Sequence, residues 1–168
     1  MMLTPAAILA SALKDHLAAT ADHKRQQLDL ANAAGLKLGT VIQAMRGFAI
    51  NAEAHLRLCA ALNIDPNDGT SAPIAARVGE FDIKLLGAGL FMRRLQRKQS
   101  IRNAAGEMAL SHATLLKIEQ GEVTAIGSVL AACTYIGVSP FHYVKPPMFH
   151  RNNGLTTLNE QEKSANGP

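Results

Sequence analysis

Displaced by 74 residues, this chain of 168 residues overlays on itself, so that Leu36 falls on Leu110, Thr40 on Thr114, Gly47 on Gly121, Cys59 on Cys133 and Pro66 on Pro140. Ala31 meets Ala105 and Leu56 meets Leu130, while Val41/Leu115, Leu62/Ile136 and Ile64/Val138 keep apolar character. Matched alanines and leucines arise easily by chance in apolar helices. Matched glycine, proline and cysteine in one unbroken register do not. The chain therefore reads as two similar units in tandem, at 1–66 and 82–145, with a linker at 67–81 and a tail at 146–168.

Each unit reads as helical. Apolar residues make up 48% of the chain, aromatic residues 4%, and tryptophan is absent. Strands favour β-branched and aromatic side chains, so this composition points to packed helices and an all-α class. Near the start, Leu9, Leu13 and Leu17 recur at the i, i+4, i+8 spacing of one helix face, after Thr4 as N-cap and Pro5 at the first helical position. The same stretch lacks a basic leader and is interrupted by Lys14, Asp15 and His16, so it reads as a core helix and not a secretory signal. No apolar run is long enough to span a bilayer. Pro66, Asn67, Gly69 and Ser71 mark the linker, with Ile74 to Val78 as a segment that could pack. The tail, polar and aperiodic after Pro146-Pro147, is expected to be disordered or to order on a partner.

The second unit is the more explicit. Leu86, Leu90 and Leu95 suggest a first helix ending in the basic run Arg93 to Lys98. Ser100 opens a second, with Ile101, Ala104, Ala105 and Met108 inward. Ser111 opens a third almost at once, with Leu115, Leu116 and Ile118 available to a core, and Gly121 suits its end. A fourth is expected over Ala125–Ile136, with a further helical turn after Ser139-Pro140. The small Ala104 and Ala105 permit close approach of the second and third helices, and so short a turn suits a helix that projects from the body.

The run from Ser100 to Gly121, followed by Val129 to Pro140, resembles the Cro/phage-repressor (XRE) helix-turn-helix family. The resemblance rests on Ser100, Ala105, Ser111, Ile118-Glu119, Gly121 and the Ile136-Gly137-Val138 end of the fourth helix. Ile101 stands where many members have glutamine, and Ala109 where the turn has glycine, a substitution that costs about 1 kcal/mol if the position needs positive φ. The first unit resembles the family more loosely, with Gly35 at the turn but Lys37, Leu38 and Gly39 at the start of its third helix and Met45 in the place of Glu119. The resemblance implies two tandem lambda-repressor-like bundles, each with a helix-turn-helix.

It also implies the site. The N-terminal part of the third helix would enter the major groove of double-stranded DNA, placing Ser111, His112, Ala113, Thr114 and Lys117 at base edges. Arg94, Arg97, Lys98, Ser100 and Arg102 would contact the backbone. Residues 83–145 hold eight Lys/Arg against three Asp/Glu, a net +5; residues 1–65 hold six against five, a net +1. The second unit is thus the expected main reader. Lys24, Arg25, Gln26, Lys37, Thr40, Gln43 and Arg46 form a candidate second DNA site in the first unit. The rival expectation is a protein-interaction module, in which Leu38 marks an interface for a homodimer or another regulatory protein.

Other chemistries find little support. Cys59 and Cys133 have no ligand spacing and read as buried thiols in a reducing cytoplasm. His16, His23, His55, His142 and His150 show no metal pattern. No nucleophile–base set, phosphate-cradling glycine loop or paired carboxylates stand out, so neither an enzyme nor a cofactor is expected. The expected function is cytoplasmic transcription regulation by DNA occupancy, with repression as the default sign.

Overall fold

A computed structural model of the chain describes residues 4–18, 22–70, 79–122 and 125–145. The elements in order are α1 (Pro5–Ala18), α2 (His23–Ala34), α3 (Leu38–Met45), α4 (Ala52–Leu62), β1 (Glu80–Phe81), α5 (Ile83–Gln96), α6 (Ile101–Glu107), α7 (His112–Glu119), α8 (Ile126–Ile136), a 3-10 turn (Pro140–Tyr143) and β2 (Val144–Lys145). The fold is mostly helical. No helix among the described residues is long and apolar enough to cross a membrane. The expected order at Ile74 to Val78 and the expected tail at 146–168 lie outside the described residues.

The internal repeat is visible in the backbone. Shifted by 74 residues, the bounds of α3 coincide with those of α7, and the bounds of α4 with those of α8. The connections match as well. Leu36 N–H donates to Ala31 O at 2.8 Å, and Leu110 N–H to Ala105 O at 2.9 Å. Gly47 (φ +78°) and Gly121 (φ +76°) take the same left-handed backbone after α3 and α7. Asn63 (φ 55°) and Gly137 (φ 87°) do so after α4 and α8. Cys59 and Cys133, each 1% exposed, fill equivalent core positions.

Two apolar clusters hold these helices. Leu9, Leu13, Leu30, Ala31, Ala34, Val41, Ala44, Leu58 and Cys59 form one, from α1 to α4. The other gathers Leu86, Leu90, Ala104, Ala105, Leu115, Ile118, Val129, Leu130 and Cys133 from α5 to α8. Ala52 and Leu56 of α4 belong to this second cluster, α4 touches α8, and Phe141 packs against both clusters. The halves therefore share apolar surface that neither buries alone.

A short antiparallel pairing closes the second half. Glu80 pairs with Lys145 and Phe81 with Val144. Asp82 then does three things. Its N–H donates to Tyr143 O at 2.8 Å, its carboxylate accepts from Leu85 N–H at 3.0 Å to cap α5, and it meets Lys145 Nζ at 2.8 Å. The Lys145 ammonium and the Leu85 N–H hold the Asp82 carboxyl below its ordinary pKa. Glu80 and Phe81 fall inside the span that composition marks as linker, where two residues are too few for a strand pattern to show.

The inward face of α5 differs from the sequence expectation. Leu86 and Leu90 are fully buried, but Leu95 is 49% exposed. The inward line runs at i, i+4, i+8 through Leu86, Leu90 and Arg94, and Arg94 is the residue that is buried, at 8% exposed.

Candidate nucleic-acid interface

Two serine caps build the segment between α5 and the end of α7. Ser100 Oγ accepts from Asn103 N–H at 3.2 Å to start α6, and Ser111 Oγ accepts from Thr114 N–H at 3.0 Å to start α7. Each satisfies a donor that the first helical turn leaves without a partner. Between them the chain reverses at Ala109, whose φ of 52° lies in the left-handed region. Ala109 N–H donates to Gly106 O at 3.1 Å, and the Leu110 N–H bond to Ala105 completes the glycine-type helix ending without a glycine. Gly35 (φ 63°) occupies the corresponding place between α2 and α3.

The core anchors α7 by one face. Leu115 and Ile118 are both fully buried, while Leu116 is half-buried and contributes less to the core than its apolar character suggests. The opposite face presents Ser111, His112, Ala113 and Lys117 exposed, with Thr114 half-buried beside them. Thr114 Oγ1 lies 2.8 Å from Ser111 Oγ, so the two hydroxyls share a hydrogen bond at the start of the helix. The five residues expected to read bases thus lie together on the first turns of α7.

Close packing against α5 sets the seating of α7. Gly87 faces the end of α7 so closely that a Cβ there would lie 2.2 Å from Ile118 O. Arg94 Nε donates to Glu119 Oε1 at 2.7 Å, and its Nη2 to Glu119 Oε2 at 3.0 Å; Nη1 donates to Gln99 O at 3.2 Å. The Glu119 carboxylate holds the Arg94 guanidinium above its ordinary pKa. Arg94 is therefore removed from the set of expected backbone contacts. Its three nitrogens are committed within the protein, and its side chain is buried. Sequence charge alone could not separate it from its neighbours; the i+4 line from Leu86 and Leu90 carried the signal.

The remaining backbone candidates lie at the surface. Arg97, Lys98, Ser100 and Arg102 are exposed around the junction of α5 and α6. Arg97 bridges to Glu107 at 3.1 Å, and its guanidinium stacks 4.6 Å from the centre of the Tyr135 ring. Tyr135 Oη in turn donates to Gln99 Oε1 at 2.5 Å. Arg97 is thus oriented by an aromatic face and a half-exposed carboxylate. Lys98 takes φ 51° as the chain leaves α5.

The first half presents a different face. Lys24, Arg25, Lys37, Gln43 and Arg46 are exposed, and Gln26 and Thr40 are half-buried. Asp22, not anticipated from sequence, caps α2 by accepting from Arg25 N–H at 3.1 Å. At α3 the N-cap residue Lys37 makes no side-chain capping bond. Leu38 is half-buried rather than fully exposed, and Gly39 has open space where a side chain would be. The start of α3 thus carries little polar chemistry beyond Lys37 and Thr40.

Burial pushes the thiols of Cys59 and Cys133 up to about 12, so both stay protonated. His55 is 1% exposed, its Nε2 has no hydrogen-bond partner among the described residues, and burial lowers its pKa to about 4. Among the described residues no group of His, Cys, Asp and Glu is arranged to hold a metal ion. Comparison with known proteins returns no family model, no curated protein and no solved structure that matches the chain.

Proposed function

We propose that this protein is a sequence-specific, double-stranded-DNA-binding transcriptional regulator of the cytoplasm, built from two tandem helix-turn-helix units and acting as a repressor by occupying promoter DNA. One observation carries the reading. A serine-capped helix, anchored by Leu115 and Ile118, presents His112, Ala113, Thr114 and Lys117 outward in a half of the chain that also exposes Arg97, Lys98 and Arg102 around the junction of α5 and α6. Histidine and threonine side chains donate or accept at base edges, alanine meets a thymine methyl, and lysine reaches guanine or phosphate. Exposed arginines at that junction suit phosphate contacts, which position a protein without reading sequence. A homodimer belongs to the same reading, because a single reading helix covers only a short half-site. Catalysis and cofactors have no part in it.

The α3 surface favours a second reading for the first half. Half-buried Leu38 and bare Gly39 stand where α7 offers His112 and Ala113. In that reading the first half binds another regulatory protein and leaves DNA to α7.

A gel shift of the full chain on the DNA upstream of its own coding sequence, with unrelated DNA as competitor, tests the proposal. Retention of a specific complex that weakens steeply with added salt is the expected result. Equal binding to both DNAs would overturn sequence-specific regulation. The full chain is the right sample, because cutting between the halves would strip Ala52 and Leu56 from the second core.

A further inference from the structure

The outward face of α5 carries four of the six large apolar side chains exposed on the described surface, and the reading of α7 leaves them unused. Leu85 is 51% exposed, Met92 54% and Leu95 49%, and Ala88 is exposed with them. Their spacing is three, four and three residues, the seam of a two-helix coiled coil. Phe91, 42% exposed, flanks the seam. Half-exposed apolar side chains at this spacing line one stripe of the helix, and apolar side chains grouped on one face mark an interaction site.

The order of residues along the strip selects the occupant. We infer that a second copy of this chain packs its own α5 antiparallel against this one, about a two-fold axis passing near position 90. Under that symmetry Leu85 meets Leu95 of the partner subunit, and Ala88 meets Met92 of the partner subunit. Each contact then occurs twice, as an isologous interface requires. A large residue faces a small one at the centre, and two leucines close each end. Charge supports the same direction. Arg93, Arg97 and Lys98 gather at the C-terminal end of α5, whereas at its N-terminal end Glu80 and Asp82 are balanced by Lys84 and Lys145. Antiparallel pairing keeps the two basic ends apart and opposes the helix dipoles, whereas parallel pairing would bring the basic ends together. The inference deepens the homodimer part of the proposed function by giving its surface, and it places that surface on α5 instead of at Leu38. It does not depend on DNA reading by α7.

Sedimentation of the full chain provides the test. Dimerisation in the micromolar range is expected, with the midpoint raised at least tenfold by Met92→Glu or Leu95→Glu. Both side chains are half-exposed, so thermal unfolding of the variants should stay cooperative. Orientation is read by mixing Ala88→Cys protein with Met92→Cys protein under mild oxidation. A disulfide-linked heterodimer is expected, while Ala88→Cys alone should cross-link poorly; the native Cys59 and Cys133 are buried and do not interfere. Self-cross-linking of Ala88→Cys as efficient as the mixture would overturn the antiparallel arrangement. A dimer indifferent to both glutamates would place the interface elsewhere and overturn the inference. So would a full chain that remains monomeric at hundreds of micromolar. In that case maleimide protection of Met92→Cys would assign the strip to the chain's own tail, and ready labelling would assign it to a different protein. Gel shifts on the same variants keep the two ideas apart, since specific binding by a monomer would remove the α5 interface and leave the reading of α7 intact.

Discussion

Arg94 on α5 grips Glu119 at the end of α7 through two parallel N–H···O bonds of 2.7 and 3.0 Å, with both side chains less than 10% exposed. This pair ties the basic end of α5 to the helix proposed to read DNA. Charged groups this buried are costly without their partner, so the pair matters most when half of it is removed.

Glu119→Ala or Arg94→Ala should therefore lower the unfolding free energy by about 3 kcal/mol. Replacing both, as Arg94→Met with Glu119→Leu, should recover most of that loss. Urea unfolding of the singles and the double makes the comparison. Singles within a few tenths of wild type would show that solvent already compensates the charges.

Gly87→Ala should be destabilising by about 3 kcal/mol, at the upper end of the usual cost of overpacking. The added Cβ would meet the backbone carbonyl of Ile118 at 2.2 Å, and backbone cannot swing aside as a flexible side chain can. Thermal melts measure the loss. A neutral Gly87→Ala would mean that α5 and α7 are less closely seated.

Ala109 and Gly35 form a natural exchange pair at equivalent turns, with φ values of 52° and 63°. Ala109→Gly should stabilise the protein by up to about 1 kcal/mol, and Gly35→Ala should cost about as much or more. Gly35→Ala also crowds Arg57 Nη1 at 3.3 Å. Chemical denaturation of both variants checks the opposite signs.

His55 should make the protein acid-sensitive. Its folded pKa is lowered from 6.5 to about 4, so the folded state keeps the ring neutral while the unfolded chain takes up a proton. The stability contributed by a neutral ring is complete above pH 6.5 and falls progressively to about pH 4. The loss is roughly 3 kcal/mol by linkage. Unfolding free energies of wild type and His55→Leu across this window should differ in slope, with the variant flatter. Parallel curves would refute the role of His55.

Readers and anchors should separate under mutation. His112→Ala and Thr114→Ala should lose discrimination at one base position by about 1–3 kcal/mol. Arg97→Ala and Arg102→Ala should weaken binding to every sequence alike and flatten its salt dependence. Binding titrations on a panel of operator variants distinguish the two patterns. Unchanged base preference in both α7 variants would remove them from the reading role.

The repeat was legible in the sequence, and so were several of the caps and helix ends, because these act locally. Ser100, Ser111, Thr4 and Gly121 act within one turn of their own positions, and the 74-residue register carried α3 and α4 onto α7 and α8. The exposed set at the start of α7 was legible for the same reason, since a cap followed by buried Leu115 and Ile118 leaves His112, Ala113 and Lys117 outside. Period places Arg94 on the inward line of Leu86 and Leu90, but tertiary structure alone decided that a carboxylate meets it there. Arg94 and Arg97 sit three residues apart in one charged run, yet one is buried against a carboxylate 25 residues away and the other lies over Tyr135 at the surface. It likewise turned Leu95 outward and let α4 complete the core of the second half. Burial of that kind depends on which distant face a helix meets, and neither composition nor period records the partner.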